Sequence, residues 1–281
     1  MVNKSVITII AARNEEKNIA FAIDSLLNQT IPPTKIIVVD DGSVDNTSKI
    51  VKKYQNQNVH LIIRKERIGG PSLLGTPLMA IPFNIGFDYV EKSKLNYDFI
   101  MISGADSVYE KNYVEFLIDQ FEKERKLVVC SGMAKGEKIN KDHVTGSGRI
   151  IRKSFWDFYG NKYPFPAYLW ESGIVFKAQM LELKAISFNE VTFKPKRKRG
   201  SNIDMIIYGR VMKVAGYPAL IVIGRAILFM FEKGLRAAIR SIAGYLMTPI
   251  QIFNADKEIR EYLSKYLLYN KVHHYLLRIF K

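Results

Sequence analysis

Four acidic residues stand where a chain can use them for chemistry. In VVDDGSVDNTSKIV (residues 38 to 51) Asp40 and Asp41 close an apolar run, and in IMISGADS Asp106 closes another. Glu15 follows a third apolar run, in AARNEE. If those runs are strands of one open parallel sheet, their carboxyl ends share the edge at which such sheets bind ligands. Acids gathered there repel one another unless a cation or a donor-rich ligand compensates. Two chemistries suit such a cluster. Carboxylates accept hydrogen bonds from a base or from ribose hydroxyls, and they hold a divalent cation that bridges a diphosphate. The plain alternative is a helix cap with a polar turn, which accounts for one aspartate of the pair.

The surrounding pattern supplies the strands. SVITIIAA, TKIIVVDD and VHLIIRK are short, nearly continuous Ile/Val runs, and helical patterns separate them. EEKNIAFAIDSLLNQT spaces Ile19, Ile23, Leu26 and Leu27 at helical intervals, and SVDNTSKIVKKYQNQ forms a second helix with Ser43 or Asp45 as its cap. The order β-α-β-α-β with two-sided apolar strands predicts a parallel sheet covered by helices on both faces. RIGGPSLLGTP reads as a loop, MAIPFNIGFDYVEKS as a helix, YDFIMISGAD as a fourth strand, YEKNYVEFLIDQFEKE as a helix and LVVCSGMA as a strand. The alternative use of Asp106 is to cap a helix beginning near Val108. ESGIVFKAQMLELKAI reads as strand then helix, and SNIDMIIYGRVMKVAGYPALIVI as helix, turn, strand. The last 55 or so residues read as helical, aromatic and basic.

Composition narrows the class. The chain has 281 residues, 48% hydrophobic and 25% charged, with a formal net charge of +15. That is ordinary for a globular protein with a sizeable core. The basic excess points to an anionic partner, and KPKRKR (194 to 199) concentrates it. One cysteine, Cys130, excludes a disulfide framework and a cysteine-based metal site. The first apolar run is too short for a signal peptide and no window suits a spanning helix, so a cytoplasmic location is expected. The G-x-G-x-x-G fingerprint after the first strand and the P-loop are both missing, which argues against an NAD enzyme and a P-loop NTPase. A nucleotidyltransferase would open with a Gly-rich loop where AARNEEKN stands. A basic nucleic-acid-binding protein fits the charge, yet nothing resembles a DNA or RNA module, so no nucleic-acid partner is expected.

TIIAARNEEKNIAFAIDSLLNQT followed by KIIVVDDGSVDNTSKIV resembles the nucleotide-binding half of family 2 glycosyltransferases. Further stretches follow in the family's order. AIPFNIGFDYV resembles its Asn-x-Gly helix, IMISGADS its D-x-D strand, ESGIVFKAQML its acceptor-side segment, and NIDMIIYGRVMKVAGY the segment with the catalytic base. The likeness covers about residues 5 to 225 and is more specific in the first half. It implies an α/β GT-A fold, Rossmann-like, with a mostly parallel sheet flanked by helices and a helical C-terminal appendage. Residues 1–225 would be the catalytic domain, divided into a nucleotide-sugar half (1–110) and an acceptor half (111–225). Residues 226–281 would be a basic helical extension.

The activity implied is hexosyltransferase-type and inverting, from a UDP- or GDP-type nucleotide sugar to a hydroxyl acceptor. Ala11, Arg13 and Glu15 would line the nucleotide pocket, and Asp40 would bond the base or ribose with Asp41 beside it. Asp106 would bind Mg2+ or Mn2+ near the diphosphate, and Asp204 would be the general base. The chain departs from the pattern at Gly104, where the first acid of D-x-D belongs, at Ile203 before the base, and at Ala11 in place of proline. The gap from Asp204 to Gly216 is also one residue long. A family member that binds a nucleotide without turnover therefore stands as an alternative. The apolar, aromatic and basic C-terminal segments suit an anionic membrane surface, hence a glycan or lipid-linked, membrane-proximal acceptor. The alternative is that they pack on the catalytic domain or form a dimer contact.

Overall fold

The computed structural model describes residues 4–137, 144–196, 205–247 and 253–266. In chain order these form β1 (Val6–Ala12), α1 (Ile19–Leu27), β2 (Lys35–Asp40), α2 (Thr47–Lys52), β3 (Val59–Ile63), α3 (Ile81–Lys92), β4 (Phe99–Gly104) and β5 (Ser107–Tyr109). Then come α4 (Tyr113–Lys123), β6 (Leu127–Ala134), β7 (Arg149–Arg152), α5 (Lys153–Tyr159), α6 (Gly173–Met180) and β8 (Lys184–Pro195). Four helices follow: α7 (Met205–Val214), α8 (Ala219–Lys233), α9 (Leu235–Leu246) and α10 (Asn254–Tyr266).

The strands make one eight-stranded sheet in the order β3-β2-β1-β4-β7-β6-β8-β5. β1 to β4 are mutually parallel, β7 runs against β4 and β6, β8 is parallel to β6, and β5 closes antiparallel on β8. This is an α/β sheet with a parallel core, as the resemblance implies. The Ile/Val runs have no polar alternation because helices cover both faces of the sheet. Ile10, Val38 and Met101 join Ile23 and Leu26 of α1 in one buried cluster. On α3 the Asn-x-Gly pair has a packing cause. Buried Asn84 exchanges hydrogen bonds with the backbone of Tyr163 (2.8 and 2.9 Å), and a Cβ on Gly86 would lie 2.6 Å from Ile9 Cγ2. Of the aromatic stretch after β7, Phe155, Trp156 and Tyr163 are core, with Trp156 packed on Phe87 (4.7 Å between centroids) and Tyr163 (5.5 Å), whereas Phe158 and Phe165 are exposed.

Three stretches differ from the sequence expectation. Residues 107–109 are strand, and the helix waits until Tyr113. Pairing of Ser107 with Pro195 and Tyr109 with Phe193 overrides local preference there. Residues 173–195 run helix then strand, the reverse of the expected order. Ile174, Val175 and Ala178 are buried at helical spacing, Glu182 turns the chain at φ 55°, and β8 then pairs with β6. The run at 219–223 is the start of α8 and not a strand, although it is rich in Leu, Ile and Val.

The described chain divides into two compact units. The first contains the sheet: Met1–Ser72, Met79–Tyr163 and Ile174–Lys198. The second comprises Leu73–Leu78, Pro164–Gly173 and Arg199–Lys281. Within the second, α7 and α9 approach to backbone contact. A Cβ on Gly209 would lie 1.9 Å from the Ser241 carbonyl, and one on Gly244 2.1 Å from that of Ile206. Arg260 of α10 donates to the carbonyls of Lys213 and Val214 at the end of α7. Buried Asp256 accepts from the amides of Tyr168 (3.2 Å) and Leu169 (3.0 Å). Burial raises its pKa against the pull of those two amides.

Candidate active site

The register aligns the ends of three parallel strands. Ala11 pairs with Val39 on one side and Gly104 on the other, and Ala12 pairs with Asp40. The Asp40-Asp41 turn and the Gly104-Ala105-Asp106 turn therefore flank the segment that leads from Ala11 through Arg13 to Glu15. That is the edge read from the sequence, with all six of those site residues on it.

The turn after β2 is held by its own donors. One oxygen of Asp40 accepts the Ser43 amide (2.8 Å) and the other the Ser48 hydroxyl. Gly42 has φ +77°, and a Cβ there would lie 2.2 Å from the Arg67 carbonyl carbon. Asn14, itself at φ 52°, accepts from the Val44 amide (2.9 Å) and donates its own amide to Ser43 Oγ (2.9 Å). Asp45 accepts the amides of Glu16 and Thr47 (3.0 Å each) and the Thr47 hydroxyl. Burial pushes the Asp45 carboxyl up, but these hydrogen bonds outweigh it and hold the group below its ordinary range. The N-cap of α2 is Asn46, without a side-chain cap bond, so neither Ser43 nor Asp45 is the cap expected from the sequence; instead they lace the loops after β1 and β2. Glu15 is buried at the start of α1, its amide on Thr47 Oγ1 (2.7 Å) and its Oε2 on Asn18 Nδ2 (2.9 Å).

Asp41 is the hub of an ion cluster. Its carboxylate faces Arg64, Arg67 (3.6 Å) and Arg13 (3.9 Å). Arg13 also donates to the carbonyls of Asp41 and Gly70. Arg64 is paired in addition with exposed Glu66 (3.1 Å). Three guanidiniums thus surround one buried carboxylate, and the guanidinium is the side chain that recognises phosphate by paired hydrogen bonds. Arg64 and Arg67 do not figure among the residues read from the sequence. The signal available is position: RKER directly follows the third parallel strand, at the same edge.

The turn after β4 is built differently. The Gly104 amide donates to Ser147 Oγ (2.9 Å), which is also within bonding distance of Ser107 Oγ (2.7 Å) and the Tyr109 hydroxyl (3.0 Å). A Cβ on Gly104 would lie 3.0 Å from Ser107 Oγ and 3.1 Å from both Asp106 Oδ1 and Ser147 Oγ. Hydroxyls thus crowd the place where the first acid of D-x-D would stand. Among the described residues no group of three or more His, Cys, Asp or Glu side chains gathers to hold a metal. The donor set, one carboxylate with nearby hydroxyls, fits a cation that brings its other ligands with a diphosphate. The basic block starts at this turn. Ser107 pairs with Pro195, the Lys196 amide donates to the Asp106 carbonyl (2.8 Å), and Lys196 Nζ lies 4.1 Å from the Phe21 ring centroid. Asp204 and residues 197–203 lie outside the described residues.

Comparison with known proteins matches this edge. Residues 7–74, from β1 past Arg67, match the family model for Glycosyl transferase family 2. A poly-beta-1,6-N-acetyl-D-glucosamine synthase of Staphylococcus epidermidis is 25% identical over 143 residues, 51% of this chain and 31% of that protein. The chain thus spans about a third of the length of that curated relative. Among solved structures, residues 1-349 of S. aureus TarS in complex with UDP-GlcNAc superpose with a TM-score of 0.55 at 18% identity, covering 86% of this chain and 71% of that one. The mannosyltransferase PcManGT of Pyrobaculum calidifontis, in complex with GDP-Man and Mn2+, gives a TM-score of 0.59 at 15% identity, covering 96% and 82%. At these identities the structural likeness speaks for the fold.

Proposed function

We propose that the chain, whose residues 7–74 match the model for glycosyl transferase family 2, acts as a member of that family and transfers a sugar, with inversion, from a UDP- or GDP-type nucleotide sugar to a hydroxyl of a glycan or lipid-linked acceptor. The observation that carries this reading is the coincidence of the family match with the edge formed by β1, β2 and β4. Ala11, Arg13, Glu15, Asp40 and Asp41 line the nucleotide side of the pocket, with Arg64 and Arg67. Residues 1–110 form the nucleotide-sugar half, 111–225 the acceptor half, and 226–281 the basic extension.

Two demands follow from the chemistry. The attacking hydroxyl loses its proton as its oxygen bonds to the anomeric carbon, and Asp204 is the proposed base. The bond to the diphosphate breaks, and its electron pair leaves with the diphosphate, so positive charge must face that group. Asp106 would hold Mg2+ or Mn2+ there, and the metal would act as a Lewis acid toward the departing oxygens. Lys194 and Lys196 stand on the strand end tied to Asp106, and they add charge where the chain supplies a single carboxylate. The crowded seat at Gly104 favours one second reading, a member that binds the donor without turnover.

A thermal-shift screen of UDP-, GDP-, dTDP- and CDP-sugars, each with and without Mg2+ or Mn2+, tests the donor site. A ligand at about 100 times its Kd stabilises the fold by roughly 2.7 kcal/mol. One nucleotide should shift the melt with metal, and Asp106→Ala should lose the metal-dependent part. Turnover should fall in a Lys194→Ala/Lys196→Ala double variant. No shift with any nucleotide removes the donor-site reading. A shift without sugar transfer or donor hydrolysis selects the second reading.

A further inference from the structure

Helices α8 and α9 carry their large apolar side chains on the outside. On α8, Leu220, Ile223, Ile227 and Phe231 fall on one face by helical spacing and all are exposed, Leu220 by 82% and Phe231 by 78%. The buried positions of the same helix are the smaller Val222 and Ala226, on the opposite face. On α9, Leu235, Ile239 and Leu246 form a second exposed stripe, while Ala238, Ser241 and Gly244 are buried. A helix pair folded for water buries its Leu, Ile and Phe and exposes its small and polar residues. Here the order is inverted, and α7 and α9 meet through Gly209 and Gly244, the small-residue contact that serves where lipid surrounds a bundle.

Charge selects the surface. Between 219 and 247 the sequence has Arg225, Lys233, Arg236 and Arg240 against one acid, Glu232. Lys233 and Arg236 are exposed, on either side of Gly234 where α8 passes into α9. Two copies of this chain pressed together on that face would set basic residues against basic residues. An anionic bilayer instead offers acyl chains to the apolar stripes and phosphates to the lysine and arginines. Among the described residues no helix is long and apolar enough to cross a membrane.

We propose that the exposed stripes of α8 and α9 dock the protein on an anionic lipid bilayer, in the interfacial layer, with Lys233 and Arg236 against the headgroups. This deepens the lipid-linked acceptor of the proposed function and rests on that reading for its biological sense. Its test does not pass through the donor site: flotation reads lipid alone, and the nucleotide melt is run without lipid.

The test is flotation of the whole chain with vesicles of phosphatidylcholine, with and without phosphatidylglycerol. The protein should float with the anionic vesicles and stay mostly at the bottom with the neutral ones. Leu220→Glu/Phe231→Glu should abolish flotation, and Lys233→Glu/Arg236→Glu should reduce it at least several-fold. Ile239→Ser with Leu246→Ser, a milder pair on α9, should reduce it too if the first pair unfolds. Absence of flotation in the unmutated chain overturns the proposal, as does equal flotation of folded variants. So does a lipid-free dimer that these substitutions convert to monomer, since the face would then bind a second copy.

Discussion

The sheet of the first unit and the α7–α9 helices of the second are both apolar in sequence, and they differ in where their large side chains lie. In the sheet Ile9, Ile10, Val38 and Met101 are inside. Between α7 and α9 it is Gly209, Ser241 and Gly244 that are inside, while α8 and α9 keep Leu220, Phe231 and Leu246 outside. The first arrangement gains its stability by removing apolar area from water, about 25 cal/mol per Å². The second also buries Met205, Met212 and Val222, but its α7–α9 contact depends on close approach of the helix backbones. Hydropathy alone therefore does not say which solvent a segment is built for. The position of its large side chains does.

Substitutions can break that contrast. The largest loss is expected at the polar anchor of the first unit. Asp41→Ala strands the guanidiniums of Arg13, Arg64 and Arg67 around one another, and should cost about 3–5 kcal/mol in urea unfolding. Leu26→Ala, a fully buried truncation, should cost about 2–5 kcal/mol. Gly244→Val must push α9 off the Ile206 carbonyl and should cost about 1–3 kcal/mol, lowering the second unit's melting signal. Phe231→Ser, a comparable loss of apolar bulk, should change stability in lipid-free buffer by less than about 0.5 kcal/mol. If Phe231→Ser costs as much as Leu26→Ala, the two regions are built for one solvent after all.

The smallest effect is one of pH in the first unit. His60 stacks on Tyr89 (4.1 Å, 14° between planes), and its pKa is lowered from 6.5 by burial and then by the charge of Lys35. The unfolded chain thus binds a proton more readily than the folded one. The stabilisation from neutral His60 is fully present above about pH 6.5 and is lost as pH falls from there through the lower folded-state pKa. Urea midpoints measured from about pH 8 to about pH 5 should decline, and His60→Phe should flatten that decline. Asp45 acts in the same direction at lower pH. Its contribution is present above 3.8 and is lost as the folded carboxylate protonates.

Legibility in the sequence followed the number of partners a segment has. β1, α1, β2, α2, β3 and β4 can be read directly because helices cover both faces of their strands, which leaves uninterrupted Ile/Val runs bounded by turns. β5 and β8 escape such reading: three residues become strand because of a partner far along the chain. α8 misleads for another reason. Its apolar residues lie on the exposed face, so no polar stripe marks the helical period. At the site, Asp40, Asp41, Glu15 and Asp106 are legible as acids at strand ends. The arginine cluster on Asp41 is not, since Arg13, Arg64 and Arg67 come from two separate loops. Nor is Ser147, which reaches Gly104 from the far side of β6 in sequence.

The backbone link from Lys196 to Asp106 also sets an order of events during synthesis. A nascent chain that has emerged only as far as β6 already contains β1 to β4, the whole parallel core of the edge. It lacks β8, the strand on which β5 closes and just past whose end the Lys196 amide donates to the Asp106 carbonyl. The Asp40-Asp41 turn can therefore mature early, from local βαβ pieces, whereas the Asp106 turn waits for a long-range pairing of the slow kind. A ribosome-bound intermediate would hold the arginine cluster in place before the turn of Asp106 is closed by β8.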